Sequence, residues 1–214
     1  MQGEIQEIID VCKVLHEKGY LAAADGNISC RLDEDKILIT PTQKNKRYLK
    51  KHEIALMTMS GDVVSGQPSS EYGLHLSLYE RVMNARCVIH AHPPIPIAWT
   101  VARPDDRELP IEAISELILG LGKVPIVPYA RPGSHELAET VGDACSKAHV
   151  AIMARHGIVS WGETLTEALN GIDRVEHAAT VLKAAMEIGG ITSLPAEEVE
   201  ALYAMRAANN SGAL

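Results

Sequence analysis

The chain has 214 residues, 46% of them hydrophobic, and a formal charge of −8 with histidine neutral. That length and apolar content suffice for the core of one domain, and no apolar run reaches the about 18 residues that a membrane span needs. The acidic balance, with one basic stretch at 44–51, excludes general nucleic-acid binding.

The start, Met1-Gln2-Gly3-Glu4, is polar and does not read as a signal peptide. Cys12, Cys30, Cys87 and Cys145 are widely spaced with no Cys-x-x-Cys pair, which predicts free thiols in a reducing cytoplasm. Phenylalanine is absent, so Ile, Leu, Val, Met and Ala must fill the core. Ile5, Ile8, Ile9, Cys12 and Leu15 share one helical face, and Gly19 supplies a stop. Residues 28–32 and 36–40 read as strands around an Asp33-Glu34-Asp35 turn, and 54–59 with 63–64 as a second hairpin around Ser60-Gly61-Asp62. Ser69 or Ser70 then caps a helix carrying Leu74, Leu78, Tyr79 and Val82.

A short apolar strand at 87–90 runs into His90-Ala91-His92-Pro93-Pro94. Alternate side chains of a strand share a face, so the two imidazoles point the same way and can bind one metal ion. A Pro-rich helix start follows, then an apolar stretch at 111–121 that reads as one helix. Residues 124–127 form a short strand, and Ser134 caps a helix running to about 147. Strands at 150–153 and 158–161 bracket Arg155-His156-Gly157, a turn made possible by Gly157. Thr164 and Glu167 form a capping box that opens a long helix to Gly189. Pro195 starts a last amphipathic helix, and 209–214 reads as a flexible tail. The irregular alternation of hairpins and helices predicts a single α/β domain over 1–214, a mixed and largely antiparallel sheet with helices on both faces.

Two constellations carry chemistry. His90, His92, His156 and the carboxylate of Glu71 form a nitrogen and oxygen donor set that suits zinc. His75 shares the helix face of Glu71 and is a rival ligand, but it reads rather as a packing residue beside the site. Gly26-Asn27-Ile28-Ser29, Thr40-Pro41-Thr42 and Ser69-Ser70-Glu71 are turn and cap segments whose N–H and hydroxyl groups cradle phosphate or carboxylate.

The order Gly-Asn-Ile-Ser, Thr-Pro-Thr, Ser-Ser-Glu, His-Ala-His, Pro-Tyr-Ala-x-Pro-Gly-Ser, His-Gly closely resembles the class II aldolase/adducin-head family, from the first helix to about residue 190. The resemblance implies a class II aldolase-like fold and a cytoplasmic homotetramer with active sites at subunit interfaces. It implies one Zn2+ per chain on His90, His92, His156 and Glu71, with Glu71 also the acid/base. Gly26, Asn27, Thr42, Ser69 and Ser70 match positions that hold a substrate's phosphate. The implied activity is aldol cleavage of a small ketose phosphate such as L-fuculose 1-phosphate through an enediolate. The same enolate chemistry also serves decarboxylases, dehydratases and 4-epimerases, and the adducin heads are non-catalytic binding modules without the full zinc set.

The chain departs from the family's Thr-Pro-Thr-Gly at Gln43, which is followed by the basic Lys44, Lys46 and Arg47. The side chain of Gln43 either crowds the phosphate loop or reads a different acid group, and Lys44 and Arg47 are expected to keep the pocket's positive charge. No counterpart of the aldolase tyrosines is evident, which leaves Glu112, Glu116, Tyr203 or a neighbouring subunit for the second proton transfer.

Overall fold

The computed structural model describes residues 1–211, and 212–214 lie outside the described residues. One eight-stranded sheet organises the chain. Its strands are β1 (Asn27–Arg31), β2 (Lys36–Ile39), β3 (Ala55–Thr58), β4 (Val63–Ser65), β5 (Cys87–Ala91), β6 (Ile126–Val127), β7 (Val150–Met153) and β8 (Gly157–Gly162). They lie in the order β4-β3-β2-β1-β5-β8-β7-β6. Every pairing is antiparallel except that of β6 with β7.

The helices are α1 (Gln2–Glu17), α2 (Tyr72–Arg81), α3 (Pro94–Ala102), α4 (Ser115–Leu121), α5 (His135–Cys145), α6 (Leu165–Ile188) and α7 (Ala196–Ser211). The central strands bury both faces, which is why they read as unbroken apolar runs. Ile28, Ile89, Ile152 and Ile158 pack on one side with Ile8 of α1 and Ile172 and Val175 of α6. Val88, Ala151 and Val159 face the other side, against Leu78 of α2 and Val141 of α5. Each such aliphatic contributes on the order of 2 kcal/mol by leaving water. Two helical glycines permit close packing. A Cβ on Gly142 would lie 2.6 Å from Ser77 Oγ, and one on Gly171 would meet the Ser160 side chain. No helix among the described residues is long and apolar enough to cross a membrane, and all four cysteines are free thiols.

Several elements differ from the sequence expectation. The stretch at 111–121 is a single 3-10 turn, Ile111–Ala113, and then α4, with Ile114 extended between them. The carbonyl of Glu112 accepts from Leu194 N–H at 3.0 Å instead of continuing a helix. The strand expected at 124–127 shortens to β6, and the Val124 carbonyl accepts instead from Leu109 N–H at 3.0 Å. Glu71, not Ser69 or Ser70, is the N-cap of α2, and Ser69 Oγ accepts from Glu71 N–H at 3.3 Å. The final helix continues to Ser211, so 209–211 are helical. Ser134 does cap α5, accepting from Leu137 N–H at 3.2 Å.

Candidate active site

Strand direction gathers the site at one end of the sheet. Because β1 and β5 are antiparallel neighbours, the start of β1 meets the end of β5, and Asn27 lies opposite His90. The end of β5 also meets the start of β8, directly after His156. An isolated bridge between Pro41 and Pro68 draws the 42–43 turn alongside Ser69, Ser70 and Glu71. Gly26, Asn27, Thr42, Gln43, Ser69, Ser70, Glu71, His92 and His156 all line one cleft of about 550 Å³, with His90 fully buried behind it.

The donor atoms of His90, His92 and His156 lie within 4.8 Å of one another. His90 Nε2 is 3.0 Å from His92 Nε2, and Glu71 sets Oε2 3.4 Å from His90 Nε2 and Oε1 3.4 Å from His156 Nε2. His90 Nδ1–H donates to the Ile158 carbonyl at 3.0 Å, so its Nε2 is the nitrogen left to present a lone pair to the cluster. Burial, followed by the neighbouring imidazoles, pushes His92 down to about 3 and His156 to about 4. Both rings are therefore neutral at physiological pH.

For Glu71, burial opposes ionisation, but the imidazoles and the Asn27 amide outweigh it and hold the carboxyl well below its usual range. Glu71 Oε1 and His156 Nδ1 are buried without a hydrogen bond among the described residues. Converging nitrogens, an ionised carboxylate and this unmet polar demand fit a divalent cation, and three imidazoles with one carboxylate suit zinc.

Two glycine and near-glycine positions shape the cluster. A Cβ on Gly157 would stand 2.5 Å from the Ala91 carbonyl and 2.7 Å from His92 Cδ2. The positive φ of the turn belongs instead to Arg155, at 61°, whose N–H donates to Thr100 Oγ1 at 2.8 Å. Gly157 is thus needed for space, not for turning the chain. Gln43 has φ 54°, the left-handed region that favours glycine, so the loop turns as a glycine would allow and carries a side chain there.

His75 is fully buried and tied into the site. Glu71 Oε2 accepts from Asn27 Nδ2–H at 2.9 Å, which turns the Asn27 carbonyl oxygen toward His75 Nε2–H. His75 Nδ1 then accepts from Ser29 Oγ–H at 2.7 Å, and Tyr79 OH lies 2.8 Å from that hydroxyl. It orders Asn27 rather than joining the donor cluster.

Other expected participants lie elsewhere. Glu112, Glu116 and Tyr203 do not line the cleft. Tyr203 OH instead donates to Glu112 Oε1 at 3.5 Å, and burial pushes the phenol up to about 12. Lys44 pairs with Glu53 at 3.0 Å, Arg47 lies over the Tyr48 ring, and neither lines the cleft. The cleft also contains Ala24, Asp25, Lys46, Pro132 and Gly133. Among them, Pro132 and Gly133 belong to the Pro-Tyr-Ala-x-Pro-Gly-Ser motif; Lys46 carried a sequence signal only as part of the basic run.

The family described as Class II Aldolase and Adducin N-terminal domain matches residues 6–182. An L-fuculose phosphate aldolase of Methanococcus vannielii is 32% identical over 176 residues, covering 82% of this chain and 93% of the relative. A 3-oxo-tetronate 4-phosphate decarboxylase of Haemophilus influenzae is 28% identical over 174 residues, covering 80% and 83%. Among solved structures, YgbL of Escherichia coli, a putative aldolase/epimerase/decarboxylase, superimposes with a TM-score of 0.87 at 27% identity over 94% of this chain and 98% of its own. An L-fuculose 1-phosphate aldolase gives 0.85 at 29% identity over 94% of each chain.

Proposed function

The chain belongs to the class II aldolase and adducin family, and from that premise we propose that it is a zinc-dependent aldolase, a carbon–carbon lyase that cleaves a small ketose phosphate such as L-fuculose 1-phosphate. One observation carries the reading. A cluster of three imidazoles and a carboxylate opens into the same cleft as a cradle of hydroxyl and amide groups. His90, His92, His156 and Glu71 would hold the zinc ion, which would supply Lewis-acid stabilisation of the negative charge that develops when the carbon–carbon bond breaks.

The chain's own groups do the rest. Gly26, Asn27, Thr42, Ser69 and Ser70 bind the phosphoryl oxygens and so fix one end of the substrate. Glu71 stands between that end and the imidazoles. Its Oε2 is held by Asn27, whereas Oε1 has no hydrogen bond. Once substrate displaces Glu71 from the cation, Oε1 is the atom that would remove the carbon-bound proton in condensation and, after taking up a proton from water, return one to the carbanion in cleavage. The proton of the C4 hydroxyl then needs a second acceptor, which we assign to a neighbouring subunit of a homotetramer, because Glu112, Glu116 and Tyr203 lie outside this chain's cleft.

That same absence favours a second reading, decarboxylation of a phosphorylated 3-oxo acid. Loss of CO2 from such an acid leaves an enolate without any hydroxyl being deprotonated, so it needs no second base. Relatives bearing the decarboxylase name support giving it weight. The test is to assay the zinc-loaded protein for aldehyde release from ketose 1-phosphates and for CO2 release from 3-oxo acid phosphates. Aldehyde release supports the aldolase, CO2 alone transfers the assignment to the decarboxylase, and activity on neither returns the fold to a binding module. Light scattering checks the tetramer.

A further inference from the structure

The cleft contains one lysine or arginine, Lys46, and it is a buried one. Lys46 opens the 3-10 turn Lys46–Tyr48 and is 1% exposed. Its ammonium donates to the carbonyls of Ala24 at 2.8 Å, Pro41 at 3.1 Å and Lys44 at 2.9 Å, which uses all three protons. Carbonyls satisfy the N–H groups but leave the charge unneutralised. No carboxylate among the described residues lies within 4.0 Å of it, and Asp25 and Glu71 act on it only from farther away. Burial lowers its proton affinity, and removing an unpaired ammonium from water is costly. Such a charge is retained where something anionic comes to meet it.

The remaining residues of the cleft supply no other positive charge. Asp25 and Glu71 are acidic, His92 and His156 are uncharged at neutral pH, and the rest are neutral side chains. Apart from the cation proposed at the imidazole end, an anion entering this cleft without Lys46 would meet no positive side chain among its lining residues. The three carbonyls also belong to the two loops that border the anion end, one leading into Gly26 and the other flanking Thr42 and Gln43. The ammonium therefore sets the loops' spacing and the local potential together.

We propose that Lys46 is the residue that makes the cleft favour an anionic phosphoryl group over an uncharged substrate end. The assignment rests on the reading of this cleft as a phosphate-ester site. Lys46 does not touch the ligand; it positions the loops that do and supplies the field in which the ligand binds.

The experiment is calorimetric titration of inorganic phosphate into the full-length protein, with zinc content and melting temperature recorded for each variant. Lys46→Gln keeps donors for the loop carbonyls but removes the charge, and it should bind phosphate about tenfold or more weakly. Lys46→Arg keeps the charge and should stay within about threefold of wild type. With a phosphorylated substrate, Lys46→Gln should raise KM more than it lowers kcat. Equal phosphate affinity in wild type and Lys46→Gln overturns the proposal while leaving the phosphate-ester reading in place. Failure of the wild type to bind phosphate removes that reading, and the proposal with it. Should Lys46→Gln not fold, the Lys46 ammonium resonance of the wild type decides. It should move on titration with phosphate, and an unmoved signal at saturation overturns the proposal.

Discussion

Asn27 and His90 face each other across the β1–β5 ladder, so the cleft's amide and its central imidazole ride on one rigid pair of strands. Groups placed on paired strands hold position better than groups on loops. The buried chain from Tyr79 through Ser29 and His75 then fixes which way the Asn27 amide points, and through it the Glu71 carboxylate.

Metal analysis of the purified protein should return close to one zinc per chain. His92→Ala should release it while circular dichroism and cooperative melting persist, because a core of this size folds without metal. Gly157→Ala should also lose metal, since its Cβ would push against the Ala91 carbonyl and the His92 ring. Full zinc occupancy in a variant lacking His90, His92 and His156 together would rule the site out.

Glu71→Gln keeps the shape and one metal-binding oxygen but removes the base. Zinc should stay bound while kcat falls roughly 10²-fold or more. An unchanged rate would move proton transfer to another group, and steady-state kinetics with the true substrate decides it.

If Ser70 binds phosphate as proposed, Ser70→Ala removes binding common to the ground and transition states, and KM should rise more than kcat falls. Inorganic phosphate should compete with substrate in the same assays. Gln43→Gly relieves a left-handed residue and opens the loop to closer anion approach. If that change alone creates aldolase activity on ketose phosphates, and phosphate neither inhibits nor stabilises the wild type, the native substrate is not a sugar phosphate.

Acid should weaken the metal-free protein through His75. Burial pushes its folded pKa down to about 3, while an unfolded histidine titrates near ~6.5. Between these values the unfolded chain binds a proton that folded His75 refuses, so stability falls as pH falls. The loss reaches about 2 kcal/mol by pH 5. His75→Gln, whose amide N–H can still donate to Asn27 Oδ1, should leave activity only mildly changed and flatten the stability curve across that window by a similar amount. His92 and His156 have the same trend in both proteins, so the difference isolates His75. Urea unfolding at a series of pH values measures it, and parallel curves for the two proteins would contradict the assignment.

The histidine pair was legible because a strand's two-residue period puts His90 and His92 on one side whatever the fold. Joining His156 to them required the family's motif order, since nothing local reveals that β8 lies beside β5. Lys46 was not legible. Lys44, Lys46 and Arg47 look alike in sequence, and only the carbonyls of Ala24 and Pro41, brought close by the sheet, determine which of the three turns inward. The break at Ile114 was hidden for a related reason. Ile111, Leu117 and Ile118 are buried on both sides of it, so the apolar pattern continues while the backbone does not.

The register of β1 on β5 has a further consequence. With Asn27 fixed opposite His90, the separation between the phosphate cradle and the imidazole cluster cannot stretch or shrink without breaking ladder hydrogen bonds. On the proposed reading the cleft would work as a ruler, measuring how many bonds lie between a substrate's phosphorus and its chelating oxygens and leaving whatever extends past the imidazoles unmeasured. Chain length on the phosphate side should be tightly selected, while the departing fragment, whether an aldehyde or CO2, should be free to vary.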